Sequence, residues 1–405
     1  MDVSSEFLMP MGYKAAGAHI GLKKQKKDLA LIVSDEGAEF AAAFTTNVVK
    51  AAPITWCQKV DASGKKAKAI VINSGNANAC TGAAGVEAAW KMAAKTAECL
   101  GADPGEILIA STGIIGVPMP IEKVESGIEF VSPQLTADVS GAINAAEAIM
   151  TTDLFMKTCS VQTKIGGKMV TISGMAKGSG MIHPNMATML AFVVTDLTIS
   201  KQLLHKALIA SVQTTYNMIS VDGDTSTNDM VAVMANGAAG AAEVVEGSAD
   251  WDVFVNALSS VNTYLAKCIA RDGEGATKLL TVTVKGSKNI EEAQKLSKSV
   301  VASNLVKTAM FGEDANWGRI VAALGYGGVD FDPSKVSVEL NSDGGKLSLL
   351  NAGEPCKFSE SHATQVMTKK DIEVLIDLND GLSKATAWGC DLSYEYVRIN
   401  GAYRT

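Results

Sequence analysis

Residues 177–196 read KGSGMIHPNMATMLAFVVTD, and the join inside them, between Ala187 and Thr188, decides how the rest of the chain is arranged. Upstream of the join, Gly178, Ser179 and Gly180 and then His183, Pro184 and Asn185 resist regular structure, Pro184 because it lacks an amide donor and fixes its own φ. Downstream, residues 189–194 form an apolar run suited to a strand buried on both faces. Thr188 therefore stands where an irregular loop enters a core strand. Threonine is common at strand openings simply because β-branched side chains fit a pleated surface. If the bond before it were cut, however, Thr188 would carry a hydroxyl nucleophile and an α-amine of pKa about 7.7 to 8.0 that can act as its base. One residue would then hold the parts needed for acyl transfer.

Working upstream, residues 29–34 and 39–44 read as two strands around Asp35, Glu36 and Gly37, which predicts a hairpin. A buried strand over 68–72 runs into NSGNAN (73–78), where side-chain amides either line a site or supply turn geometry. A helix follows from about residue 86 to 100 and stops at Gly101. A strand over 106–110 leads into STGIIG (111–116). A loop in that place can aim a backbone N–H and the Thr112 hydroxyl at one point, as a developing oxyanion requires; the alternative is a glycine turn with a locally satisfied threonine. Helical spacing over 135–150 closes at Thr151, Thr152 and Asp153. Two strands, 157–163 and 168–173, then turn around Gly166 and Gly167 and deliver Lys177, whose ammonium suits the α-carboxylate of an amino acid.

Downstream, Ser200 predicts an N-cap for a helix with Leu203, Leu204, Leu208 and Val212 on its apolar face. SVDGDTSTND (220–229) has three aspartates but no glutamate completing a calcium loop, so it reads as a turn and helix cap. A helix over 251–269 leads to RDGEGAT (271–277), where glycines flanking Glu274 let the backbone approach a ligand, and a strand follows over 278–285. In FGEDANWGRI (311–320), Trp317 and Arg319 are assigned to architecture or an interface. Alternation resumes over 336–340, 346–350, 372–378 and 385–392, before the tail YEYVRINGAYRT.

A chain of 405 residues with 47% hydrophobic and 20% charged residues can bury a large core, and it predicts an ordered protein of more than one unit. A formal charge of −7 argues against nucleic acid or an anionic membrane as partner, since phosphate binding needs a basic face. Seven cysteines without C-x-x-C spacing predict buried thiols in a reducing compartment, with no zinc site or disulfide framework. No secretory signal and no bilayer-length apolar stretch is visible, so the cytoplasm is the expected location.

KGSGMIHPNMATML, with STG, TTD, the glutamate of GEG and the tail, closely resembles the ornithine acetyltransferase family, the glutamate N-acetyltransferases, essentially from end to end. The resemblance implies that the precursor cuts itself between Ala187 and Thr188 into an α chain (1–187) and a β chain (188–405), two of each forming a heterotetramer. It implies Thr188 as nucleophile, Thr112 and Gly113 as the oxyanion hole, and a threonine of the Thr151–Thr152 pair, Lys177, Thr188, Glu274, Asn400 and Thr405 as substrate contacts. Thr151 is slightly preferred to Thr152. The C-terminus is then expected to fold back to the site. The implied reaction moves the acetyl group of N2-acetyl-L-ornithine to L-glutamate in arginine biosynthesis. No cofactor is needed, and acetyl-CoA is a second donor in some members. The fold implied is a mixed α/β (α+β) one with stacked sheets between helical layers, similar in chemistry to N-terminal nucleophile hydrolases but different in topology. The expected units are 1–196 and 197–405. Two rivals share these features: a hydrolase or aminopeptidase in which water resolves the acyl-threonine, and a binding protein in which the stretch is only loop and strand.

Overall fold

The structure is a computed structural model that describes residues 1–183 and 189–402. Its strands are, in order, β1 (Tyr13–Ala18), β2 (Leu29–Phe44), β3 (Ala67–Asn76), β4 (Ile107–Ile114), β5 (Lys157–Ile165), β6 (Lys168–Lys177) and β7 (Leu190–Thr195). There follow β8 (Ile219–Ser220), β9 (Met230–Ala235), β10 (Leu279–Ser287), β11 (Ser337–Ser342), β12 (Gly345–Asn351), β13 (Glu354–Pro355), β14 (Asp371–Asp377) and β15 (Ser383–Cys390). They build two mixed sheets. The first runs β4-β3-β2-β9-β7-β6-β5, with β1 also paired to β2, and the second runs β13-β12-β11-β14-β10-β15-β8.

Strand β7 shows why the first sheet has two apolar faces. Leu190, Phe192 and Val194 point into one core, shared with the helices Ala52–Ser63, Gly82–Leu100, Ile121–Val131 and Val139–Ile149. Ala191 and Val193 point into the other, shared with the helices Lys201–Thr214 and Ala249–Arg271. Period-two alternation sends successive side chains to opposite faces, so a strand with a core on each side must be apolar throughout. Burying a side chain such as Phe192 stabilises by about 1.5–3 kcal/mol. The second core continues past Ala249–Arg271, which packs on β5 and β6 and also on β15. Residues of the second sheet such as Val282, Val284, Val374 and Ile376 belong to it. A helical layer thus separates stacked sheets, and the mixed α/β class expected from the sequence is the one observed.

The expected hairpin at 29–44 is instead one strand. Its first part, Leu29 to Val33, pairs antiparallel with β1 and β3, and its second, Glu39 to Phe44, pairs antiparallel with β9. Asp35, Glu36 and Gly37 form an irregularity that bends β2 without reversing it, because each half finds a different partner. Other boundaries follow local chemistry. Gly101 adopts φ 64 and ends the helix Gly82–Leu100, and Ser200 accepts from the Leu203 amide at 3.4 Å to start Lys201–Thr214. The segment 220–229 leads into strand β9 and caps no helix. Helix Tyr394–Ala402 brings the tail back toward Glu274.

Candidate functional site

The site grows from the ends of β4, β6 and β7. Lys177, the last residue of β6, pairs with Leu190 at the start of β7, and its Nζ donates to Thr112 Oγ1 at 3.3 Å. Thr112 and Gly113 lie near the end of β4 against Ser74 and Gly75 of β3, where the register breaks and Asn76 faces both Thr112 and Ile114. Gly113 has φ 132, and a Cβ there would lie 2.4 Å from the Gly75 carbonyl carbon, so the close approach of the two strands needs glycine.

Around this point closes a cleft of about 830 Å³, including its open mouth. Thr112, Gly113, Thr151, Thr152, Lys177, Glu274 and Asn400 all line it, so every predicted site residue within the described part of the chain meets in one place. Ala187, Thr188 and Thr405 lie outside the described residues. Met189, joined to Thr188 by one peptide bond, lines the cleft. Thr151 and Thr152 both line it, so geometry does not choose between them.

Each wall has its own fixing. The Thr151 amide donates to Asp153 Oδ2 at 2.8 Å, and the Gly178 amide donates to Asp153 Oδ1 at 2.7 Å. Ser179 Oγ donates to the Asp272 carbonyl at 2.6 Å, and the Glu274 amide donates to the Ser179 carbonyl at 3.1 Å. Gly180 leaves room for the Glu274 carboxylate: a Cβ there would stand 2.4 Å from it. Asn400 Nδ2 donates to Glu274 Oε2 at 2.8 Å. The amides of NSGNAN are used locally. Asn73 Nδ2 donates to the Asn76 carbonyl at 2.9 Å and Asn76 Nδ2 to the Val117 carbonyl at 3.1 Å, so these side chains hold the end of β3 and tie it to the segment that follows β4.

The polar segment 220–229 does more than turn the chain. Asp222 accepts from the Met181 and Ile182 amides at 2.7 and 2.8 Å, and Thr225 Oγ1 donates to the His183 carbonyl at 2.9 Å. Asn228 Nδ2 donates to the Ala77 carbonyl at 2.6 Å and to the Ser111 carbonyl at 2.8 Å, stitching β3 to β4. Ser226, Asn228 and Asp229 all line the cleft. These residues are not among those expected at the site from the sequence. The only available signal was the density of hydrogen-bonding side chains in SVDGDTSTND, and their partners lie far away in the chain.

Electrostatically the cleft is tense. Burial lowers the Lys177 pKa, Lys157 adds to the effect, and Asp153, Asp229 and Glu274 oppose it. Burial pushes the Asp229 carboxyl well above the usual carboxylate range, against hydrogen bonds from Ser226 and the Met189 amide and the charge of Lys177. Its Oδ2 is buried without a partner among the described residues. His183, with Nδ1 3.0 Å from Ser220 Oγ, is lowered to about 4 by burial and by Lys298, so it is neutral at pH 7. Among the described residues no group of three His, Cys, Asp or Glu side chains could hold a metal, and no helix is long and apolar enough to cross a membrane. The arrangement brings threonine hydroxyls, the Gly113 backbone, one lysine and the carboxyls of Glu274 and Asp229 to a cleft whose wall is in part apolar, with Ile115, Met189 and Leu190. It suits acyl transfer on a zwitterionic molecule.

Residues 14–405 match the ArgJ family. The chain is 53% identical over 397 residues to the arginine biosynthesis bifunctional protein ArgJ of Caldanaerobacter subterraneus subsp. tengcongensis, covering 98% of each chain. It is 51% identical over 399 residues to the protein of the same name from Symbiobacterium thermophilum, again covering 98% of each. The crystal structure of the arginine biosynthesis bifunctional protein ArgJ from Bacillus halodurans superposes with a TM-score of 0.51 and 46% identity, covering 53% of this chain and 100% of that one.

Proposed function

Because the chain belongs to the ArgJ family, we propose that it cuts itself between Ala187 and Thr188 and then transfers the acetyl group of N2-acetyl-L-ornithine to L-glutamate in arginine biosynthesis. The observation that carries this reading is the convergence of Thr112, Gly113, Lys177, Glu274 and Asn400 on one cleft whose wall includes Met189, the residue bonded to Thr188.

In the first step the Thr188 hydroxyl attacks the Ala187 carbonyl, the peptide bond becomes an ester, and water hydrolyses the ester to leave a free α-amine on Thr188. In turnover the same hydroxyl attacks the acetyl carbonyl of acetylornithine, with its proton passing to the α-amine. Thr112 and Gly113 stabilise the tetrahedral oxyanion, ornithine leaves with a proton returned to its nitrogen, and acetyl-threonine remains. The α-amine of glutamate then attacks that ester, and Thr188 regains its proton. Lys177 takes the α-carboxylate common to both substrates, and Glu274, held by Asn400, offers its carboxylate to a substrate ammonium.

The Bacillus halodurans chain is matched in full by 53% of this one, the share expected of a chain starting at Thr188, which favours the cut. The word "bifunctional" in the relatives' names favours acetyl-CoA as a second donor, read as a substrate and not as a bound cofactor. Two α and two β chains would assemble in the cytoplasm. The test is direct. The purified protein should give two bands on a denaturing gel, a fragment mass starting at Thr188, and acetylglutamate from acetylornithine and glutamate. Thr188→Ala should stay uncut and silent. A variant that forms acetylglutamate at the parental rate rejects Thr188 as nucleophile, and free acetate without acetylglutamate indicates a hydrolase.

A further inference from the structure

Beneath the cleft floor lies a group of charges that the acyl-transfer scheme does not use. Lys157 Nζ donates to Asp153 Oδ1 at 2.7 Å and to Asp272 Oδ2 at 2.5 Å, and all three side chains are fully buried. Asp153 also accepts the amides of Gly178 and Thr151, and Asp272 accepts the Leu154 amide at 3.0 Å. One carboxylate is therefore tied by main-chain bonds to two cleft walls, the residue after Lys177 and the Thr151–Thr152 turn. A second, reached through Lys157, belongs to the stretch that carries Glu274. Burying charges this thoroughly is unfavourable unless each is paired, so so dense a cluster beside a ligand cleft calls for a reason.

We propose that Asp153 is the positioning residue for substrate binding: balanced by Lys157 and Asp272, it keeps the buried Lys177 side chain an ammonium, ready for a substrate α-carboxylate, while holding the Gly178 and Thr151 amides in register. The inference rests on the transferase reading for the identity of that carboxylate. Its electrostatic part rests on the surroundings of Lys177. Lys157 disfavours its charge, and Lys23, whose Nζ is anchored on the Met150 carbonyl at 2.9 Å, is a further cation close enough to interact with it. Three carboxyls, those of Asp153, Asp229 and Glu274, oppose them. Asp229 is driven toward its neutral form by burial, and Glu274 is shared with Asn400. Asp153 is thus the counter-charge the fold fixes most firmly. Against the burial that would raise it, Lys177 and Lys157 hold its carboxyl well below the usual carboxylate range.

Asp153→Asn isolates the effect in the full-length, processed protein. The amide oxygen can occupy only one of the two positions that now accept hydrogen bonds, and the negative charge is gone. Two readouts are taken across pH 6 to 10: kcat/KM for acetylornithine, and the titration of Lys177 by NMR of 13C-labelled lysine, assigned with Lys177→Arg. Both midpoints should move together to lower pH by a unit or more. Above the shifted midpoint kcat/KM should fall about tenfold per pH unit, chiefly through KM, and return toward the parental value on acidification. A merely structural loss would depress activity equally at every pH. Asp272→Asn leaves all three Asp153 bonds in place and should give a smaller shift of the same sign, which covers the case of a misfolded Asp153→Asn. The two readings fail separately. If the unaltered protein makes no acetylglutamate, the transferase reading falls while the NMR titration still decides the role of Asp153. If Lys177 titrates alike in the parent and in the variants, the inference is overturned.

Discussion

Replacing Gly113 with alanine tests the close approach of β3 and β4 on which acyl chemistry would depend. The new Cβ would stand 2.4 Å from the Gly75 carbonyl carbon and 2.7 Å from the Asn76 nitrogen, both main-chain atoms that no side-chain rotation can clear. The residue also holds φ 132, which an L side chain rarely adopts. Backbone strain of this kind costs about 1–3 kcal/mol, and relief requires β3 and β4 to separate at the level of Thr112. A donor displaced from an oxyanion lowers kcat by about 10²- to 10³-fold, or roughly 2.7–4 kcal/mol. Gly113→Ala should therefore slow both self-cleavage and acetyl transfer by at least two orders of magnitude, with a fall of several degrees in melting temperature. Gly116→Ala separates the two causes. It shares the positive φ, at 82, but its Cβ would meet nothing within 4 Å, so it should lose a little stability and keep its chemistry. The assays are the cleaved fraction against time on a denaturing gel, acetylglutamate formation, and thermal unfolding. Parental rates of cleavage and transfer in Gly113→Ala, with only the melting temperature lowered, would refute the reasoning and leave the close strand approach a purely structural feature.

Asn228→Ala should leave the Ala77 and Ser111 carbonyls without its two hydrogen bonds, destabilise the protein by about 2 kcal/mol, and slow transfer about tenfold or more as β3 and β4 loosen; denaturant unfolding and steady-state rates check this. His183 supplies a pH signature. Its folded pKa of about 4 lies below the ordinary 6.5, so the unfolded chain binds more protons in that window, and stability is lost as pH falls from about 6.5 to 4. His183→Gln should flatten the melting temperature between pH 7 and pH 4.5 relative to the parent; an unchanged slope removes His183 from that role.

Residues with local chemistry were readable from the sequence alone. The apolar run of β7, the Ser200 cap, the Gly101 stop and the hairpin between β5 and β6 each depend on neighbours a few positions away. The clustering of Thr112, Lys177 and Glu274 is legible only through motif resemblance, since no periodicity joins two strand ends and a loop so far apart in the chain. What escaped was decided by distant partners. Asp35, Glu36 and Gly37 have the composition of a hairpin, yet the chain runs on because β9, far along the sequence, is available to pair with its second half. Asn228 looked like turn chemistry because its acceptors lie 151 and 117 residues away. Lys157 and Asp272 gave no sign of burial, because a strand-opening lysine is ordinarily solvated and its carboxylate partner lies 115 positions on.

The strand order of the first sheet sets the fate of a nicked molecule. Strands β7 and β9 lie after the proposed cut and yet stand between β2 and β6, which precede it. A severed chain would keep both pieces zipped edge to edge by backbone ladders, so neither fragment could depart without tearing open the middle of the sheet. Gel filtration in native buffer should report one undivided particle before and after scission, and only detergent or denaturant should reveal that the polypeptide is in two. The same wedge makes separately expressed halves poor candidates for reassembly, since each would present raw strand edges to its own kind before meeting the other.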